Sequence, residues 1–170
     1  MNKIFGIVLA AFFAVGMIGT ASASGLYVTG NVADTHVKGE NAFSGDSVTG
    51  GGVGVGMNII PNFLAVEATY DHLMNKDNVR IQSAAVWAVI DPTITTVAGM
   101  PLKATARAGY AYTDVSDGAN FSDADPAYGV GLALGVSSNM DVVANYTRRT
   151  NFSSEDVNLD TASIGVKVGF

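Results

Sequence analysis

The closing stretch "ASIGVKVGF", Ala162–Phe170, decides what kind of fold this chain makes. Ile164, Val166, Val168 and Phe170 share one side of an extended backbone, and Ser163, Gly165, Lys167 and Gly169 share the other. A repeat of two residues is that of a strand with one apolar face; a helix repeats every 3.6. The apolar phase runs up to an aromatic with no polar tail behind it.

Working back along the chain, the same alternation returns. In "LKATARAGYAYT", Leu102, Ala104, Ala106, Ala108, Tyr110 and Tyr112 oppose Lys103, Thr105, Arg107, Gly109 and Thr113. In "AYGVGLALGV", Tyr128, Val130, Leu132, Leu134 and Val136 oppose Gly129, Gly131, Ala133 and Gly135. "FLAVEATYD" sets Leu64, Val66, Ala68 and Tyr70 against Glu67, Thr69 and Asp71. Eight segments of this kind are expected, at 25–34, 48–59, 63–73, 79–90, 102–114, 127–137, 140–150 and 158–170.

The connections alternate in character. Residues 35–47, 74–78, 115–126 and 151–157 are rich in Asp, Asn, Ser and Gly, whereas Ile60-Pro61-Asn62 and Ser138-Asn139 are tight turns. Residues of these types mark chain reversals. A longer connection, "DPTITTVAGMP", is bracketed by Pro92 and Pro101. Long connections at one end and short ones at the other, with an even number of strands of about ten residues, are the pattern of a transmembrane β-barrel. The expectation is therefore an all-β fold: an eight-stranded antiparallel up-and-down transmembrane barrel, closed because only closure leaves no backbone group unpaired in lipid.

Composition narrows the function classes. The 170 residues include 20 Gly and no Cys, only 14% are charged, and the formal net charge is −6. No disulfide or thiolate-metal framework can form, and an acidic balance argues against nucleic acid as a partner. "MNKIFGIVLAAFFAVGMIGTASA" has Lys3 at its head, an apolar stretch from Ile4 to Ile18 and Ala21-Ser22-Ala23 as a small-residue cleavage site. It reads as a secretory signal peptide at 1–23, its apolar stretch too short to span a bilayer as a helix, leaving 24–170 as the barrel domain.

The two faces carry different expectations. Interface aromatics should gather at the ends of the apolar band: Tyr70, Tyr110, Tyr112, Tyr128 and Tyr146 toward the long connections, Trp87 and Phe170 toward the short ones. Glu67, Asp71, Arg80, Lys103, Arg107, Asp141, Arg149 and Lys167 take the polar phase and should meet in the lumen. An eight-stranded interior is just wide enough to be filled by side chains, so these groups should pair, with Glu67 and either Arg107 or Lys167 at the centre. The Gly50, Gly52, Gly54, Gly56 stripe and its counterpart Gly129, Gly131, Gly135 should make room for them.

Chemistry beyond this is sparse. "GGGVGVG" lacks the Lys-Ser/Thr and the helix of a phosphate loop. Asp71 and His72 are neighbours on a strand and so point to opposite faces, and His36 lies in a connection; both read as polar rim residues. Asp114, Asp117, Asn120, Asp123 and Asp125 offer oxygen ligands, but not at EF-hand spacing, and read as a solvated acidic loop. No catalytic residue, cofactor or metal site is expected.

From Gly25 to Phe170 the chain resembles the small eight-stranded outer-membrane β-barrels of the OmpA, OmpX and opacity-protein type. "AYGVGLALGVSSNMDVVANYTRR" carries the likeness as strand, short turn and strand, and "IGVKVGF" as the final strand. The resemblance implies a cell outer-membrane location and contact with outer-membrane lipids and lipopolysaccharide. It also implies an encounter with the barrel-assembly machinery, for which Ile164, Val166, Val168 and Phe170 would be the signal. It departs from the full-length OmpA-like pattern in lacking a periplasmic peptidoglycan-binding domain after the barrel, and its connections are short for an opacity-type adhesin. The expected function is a non-enzymatic structural or surface-interaction role, with an unspecified surface ligand. The alternatives are an outer-membrane enzyme acting on lipid A or surface peptides, or a soluble secreted barrel binding an apolar ligand.

Overall fold

The computed structural model describes residues 25–38, 47–76, 79–117, 119–152 and 157–170. The signal peptide expected at 1–23 lies outside them. The strands are β1 (Leu26–Lys38), β2 (Ser47–Ile60), β3 (Leu64–Lys76), β4 (Val79–Ile90), β5 (Thr93–Val97), β6 (Met100–Asp117), β7 (Ala119–Gly135), β8 (Met140–Phe152) and β9 (Val157–Gly169). Each pairs antiparallel with its sequence neighbours, except that β4 pairs with β6, and β1 with β9 closes the ring. Eight strands thus make the wall, and β5 is appended to β6.

β5 revises the reading of 91–101 as a simple long turn. The β4–β6 ladder reaches Ile90↔Ala106, and Thr93↔Lys103 continues it in the same register, so β5 prolongs β4 past Asp91-Pro92. Proline has no N–H to donate, which explains the break. The hairpin closes on Ala98 and Gly99, at φ 52° and 82°. Two successive left-handed residues are the type I′ geometry that matches strand twist. All of β5 is exposed, because the β3–β4 ladder stops at Leu64↔Ile90.

The connection expected at 115–126 is also largely strand: β6 and β7 stay paired to Asp117↔Ala119. β1 likewise continues to Lys38. Polarity hid these extensions, because a strand with water on both faces loses its alternation while keeping its backbone ladder.

The wall is apolar outside and mixed inside. Val32, Val53 and Val130 are each more than 60% exposed, while Tyr27, Ala65, Ala85, Trp87, Val89, Ala111 and Ala127 form the buried cluster within the ring. Among the described residues no helix is long and apolar enough to cross a membrane; the apolar surface belongs to the strands.

Candidate functional site

Among the described residues, four ion pairs cross the lumen at successive levels. Nearest the long connections, Arg149 Nη2 donates to Asp71 Oδ2 at 2.8 Å, and Arg149 Nη1 donates to Thr161 Oγ1, which contacts Thr35 Oγ1. Below it Arg107 Nη1 stands 3.5 Å from Glu67 Oε1. The Arg107 guanidinium also lies 5.5 Å from the centroid of the Trp87 ring, and Trp87 Nε1 donates to Thr69 Oγ1. Lower still, Lys167 Nζ donates to Asp91 Oδ2 at 2.8 Å and sits 4.2 Å from the Tyr27 ring centroid. At the short-turn end Lys103 Nζ donates to Asp141 Oδ2 at 2.8 Å. Each cation meets an anion because neither can keep its water in so narrow an interior.

Glycine makes the space. A side chain at Gly52 would run into the Asp71 carboxylate, at Gly56 into the Tyr27 ring, and at Gly129 into Thr147 and Arg107. Toward the short turns the lumen opens into a mouth of about 320 Å³ bordered by Asn58, Asn62, Asp91, Lys103, Asp141 and Lys167, while between the ion pairs lies a cavity of about 50 Å³ bordered by Glu67, Asp71, Asp91, Arg107, Arg149 and Lys167. Arg107 Nε, Arg149 Nε and Asp91 Oδ1 have no protein hydrogen-bond partner among the described residues. Such a volume holds a handful of waters, at roughly 10–15 Å³ each.

Seven of the eight charges expected in the lumen are brought there, and of the two partners considered for Glu67 the structure selects Arg107. Two placements on β4 are corrected together. Arg80 is exposed and shares the outer phase with Val86 and Ile90, so it is not a lumen charge. Trp87 is 2% exposed and inside the ring, so it is not an interface aromatic. A shift of one residue moves every side chain of a strand to the other face, so both errors are one error of phase.

Asp91 and Tyr27 were missed. Asp91 lay in a stretch read as a turn, although its place one residue past Ile90 extends the inward phase of Trp87 and Val89. Tyr27 could have been found from the same alternation in β1, opposite Gly56. The acidic run splits: Asp125 is 7% exposed on the inward phase of β7, whereas Asp114 takes the outward phase of β6. The reading of that run as a uniformly solvated loop is corrected for Asp125. No group of potential metal ligands converges among the described residues. Asp71 and His72 do point apart, His72 Nδ1 lying 3.4 Å from Gln82 Nε2 on the outer wall.

The other aromatics ornament that outer wall. Tyr110 is 69%, Tyr128 51% and Tyr146 44% exposed; Tyr70 and Tyr112 are half-buried. Each stands on the long-connection side of a column of Val, Leu or Ala, and Phe170, 70% exposed, stands at the opposite end. Ile164, Val166 and Val168 face outward above it on β9.

The chain matches the family model described as outer membrane protein beta-barrel domain over residues 5–170. Among solved structures it is similar to Neisserial surface protein A, with 21% identity over 88% of this chain and 100% of that one and a TM-score of 0.63. The attachment invasion locus protein Ail of Yersinia pestis gives 18% identity, 86% and 99% coverage and a TM-score of 0.55. The outer membrane enzyme PagL gives 13% identity, 84% and 99% coverage and a TM-score of 0.52. No curated protein matches the sequence. These likenesses establish the barrel, and an exposed apolar wall around an ion-paired lumen is what such a barrel requires: the chain belongs to the outer membrane protein beta-barrel domain family.

Proposed function

We propose that this protein resides in the outer membrane as a non-enzymatic, non-conducting barrel that presents its long connections to a surface partner. The observation that carries the proposal is the filled middle of the lumen: above a mouth of about 320 Å³ at the short turns, the cross-barrel ion pairs narrow the interior to a cavity of about 50 Å³. What remains for recognition is the long-connection end, where Glu40, Asp46, Asp77, Asp117, Asp123, Glu155 and Asp156 give an acidic sequence. An acidic sequence there favours a basic surface on the partner.

The test joins two measurements. Purified, refolded protein in planar bilayers should show no steady conductance; stable single-channel steps would overturn the non-conducting reading. Intact cells displaying the protein should adhere to immobilised matrix protein, and should lose adherence when 39–46 and 153–156 are replaced by Gly-Ser runs that leave the folded band on gels. Unchanged adherence after replacement would overturn presentation through these connections.

One observation favours the enzymatic alternative. Asp34 and His36 form a pair on the outer wall, Nε2 to Oδ2 at 3.4 Å, each about half exposed. Among the described residues no hydroxyl hydrogen-bonds to His36, so the pair lacks a nucleophile. Lipid A from expressing cells should keep its mass; a loss of an acyl or phosphate group abolished by His36→Ala would reverse the assignment.

A further inference from the structure

One row on the outer wall breaks the apolar pattern. Cross-strand neighbours run Tyr128↔Arg148, Arg148↔Asp160 and Asp160↔His36 across β7, β8, β9 and β1. Directly beneath them come Val130, Tyr146 and Ala162, then Leu132, Ala144 and Ile164. The row therefore sits on the upper edge of the apolar band, at the level where lipid headgroups begin.

Asp160 organises the row. Arg148 Nε and Nη2 donate to its two oxygens at 2.6 and 2.7 Å, and Lys38 Nζ lies 2.9 Å from Oδ2. Tyr128 stands beside Arg148 across the strands, and Tyr146 lies two residues before Arg148 on the same outward phase. The carboxylate side chain is 3% exposed while Arg148 is 35% and Lys38 62% exposed. Two cations thus share one covered anion and remain exposed to the outside, with the Asp34–His36 pair beside them on β1. The carboxylate takes two of the five N–H groups of Arg148 and Lys38 has three donors, so both retain hydrogens to donate.

The location is selective within this chain. Lys103, Arg107, Arg149 and Lys167 are spent in the lumen. Among the described side chains, Lys38, Arg80 and Arg148 are the cations on the outer wall, and Lys38 and Arg148 share one carboxylate. A guanidinium fork held by a carboxylate beside a lysine suits a phosphate oxygen, and flanking tyrosines suit a headgroup whose lower part is apolar.

We propose that Arg148 and Lys38, held by Asp160 and flanked by Tyr128 and Tyr146, form a site for the phosphorylated headgroup of an outer-leaflet lipid. The site is separate from surface presentation and stands if that reading fails.

The test uses the refolded chain in nanodiscs of phosphatidylcholine with a minority of phosphatidic acid, with bound lipid counted by native mass spectrometry. Wild type should retain phosphatidic acid over phosphatidylcholine, and Lys38→Gln with Arg148→Gln should weaken retention about tenfold. Arg80→Gln, which removes an outer-wall cation elsewhere, should leave retention unchanged. Lys38→Gln alone keeps the Arg148–Asp160 pair and should give a smaller loss of the same sign, and gel mobility before and after boiling confirms that each variant is folded. Equal retention in all variants, an equal loss in Arg80→Gln, or no headgroup preference in wild type would overturn the proposal. Displacement of the lipid by inorganic phosphate would reassign the site to a soluble anion.

Discussion

Arg149 is 3% exposed, and its charge is answered across the lumen by Asp71 at 2.8 Å. Removing one partner of such a pair leaves a buried charge uncompensated, at a cost of about 3–5 kcal/mol. Asp71→Asn should therefore lower the urea midpoint substantially, whereas Asp71→Leu with Arg149→Met should recover most of the loss; an unchanged midpoint for Asp71→Asn would show the pair to be solvated. Trp87 offers a second test at this scale, because it is the single tryptophan. Lipids brominated on their acyl chains should leave its fluorescence nearly intact, since the ring packs inside against Thr69 and Arg107. Strong quenching would return it to the outer interface. The lumen charges on β3, β6, β8 and β9 were legible because apolar residues on the opposite phase fixed each strand's orientation. β4 was not, because "VRIQSAAVWAVI" is apolar on both phases. Its polar residues, Arg80, Gln82 and Ser83, fall on both sides, and alternation assigns no phase to a strand that does not alternate.

The appended hairpin carries a strain that can be relieved. Ala98 adopts φ 52°, a conformation that costs a residue with a Cβ about 1–2 kcal/mol, and type I′ turns favour Asn before Gly. Ala98→Asn should slow hydrogen exchange of the Val97 and Met100 amides several-fold while leaving global unfolding alone; faster exchange would mean that another turn is populated. β9 supports the other prediction for an element. Phe170 N donates to Leu26 O at 3.0 Å while its ring is exposed at the short-turn end. Deleting Phe170 should cut the amount of folded barrel in the outer membrane and leave chain in the periplasm. Equal amounts would refute the assembly signal of Ile164, Val166, Val168 and Phe170. The eight wall strands could be read from alternation to within a few residues, but their polar upper ends could not. The extension of β6 and β7 to Asp117↔Ala119 rests on backbone pairing rather than on a buried face.

Closure couples the two ends of the molecule. Asp141 and Arg149 lie eight residues apart on β8, one holding Lys103 at the short-turn end and the other Asp71 near the long connections. At about 3.3 Å per residue these pairs are separated by roughly 26 Å, far enough for their effects on stability to add. Neither end can open alone, because every wall strand spans both and the ring has no free edge at β1–β9 or β4–β6. Asp71→Asn and Lys103→Gln should consequently shift one common transition, with urea midpoints by Trp87 fluorescence and by the mobility of unboiled samples coinciding in each variant and in the double variant. If the Lys103 variant lost the folded mobility while Trp87 kept its native emission, the short-turn end would be unfolding by itself. The ion pairs would then hold local segments, and the wall would not act as a single cooperative unit.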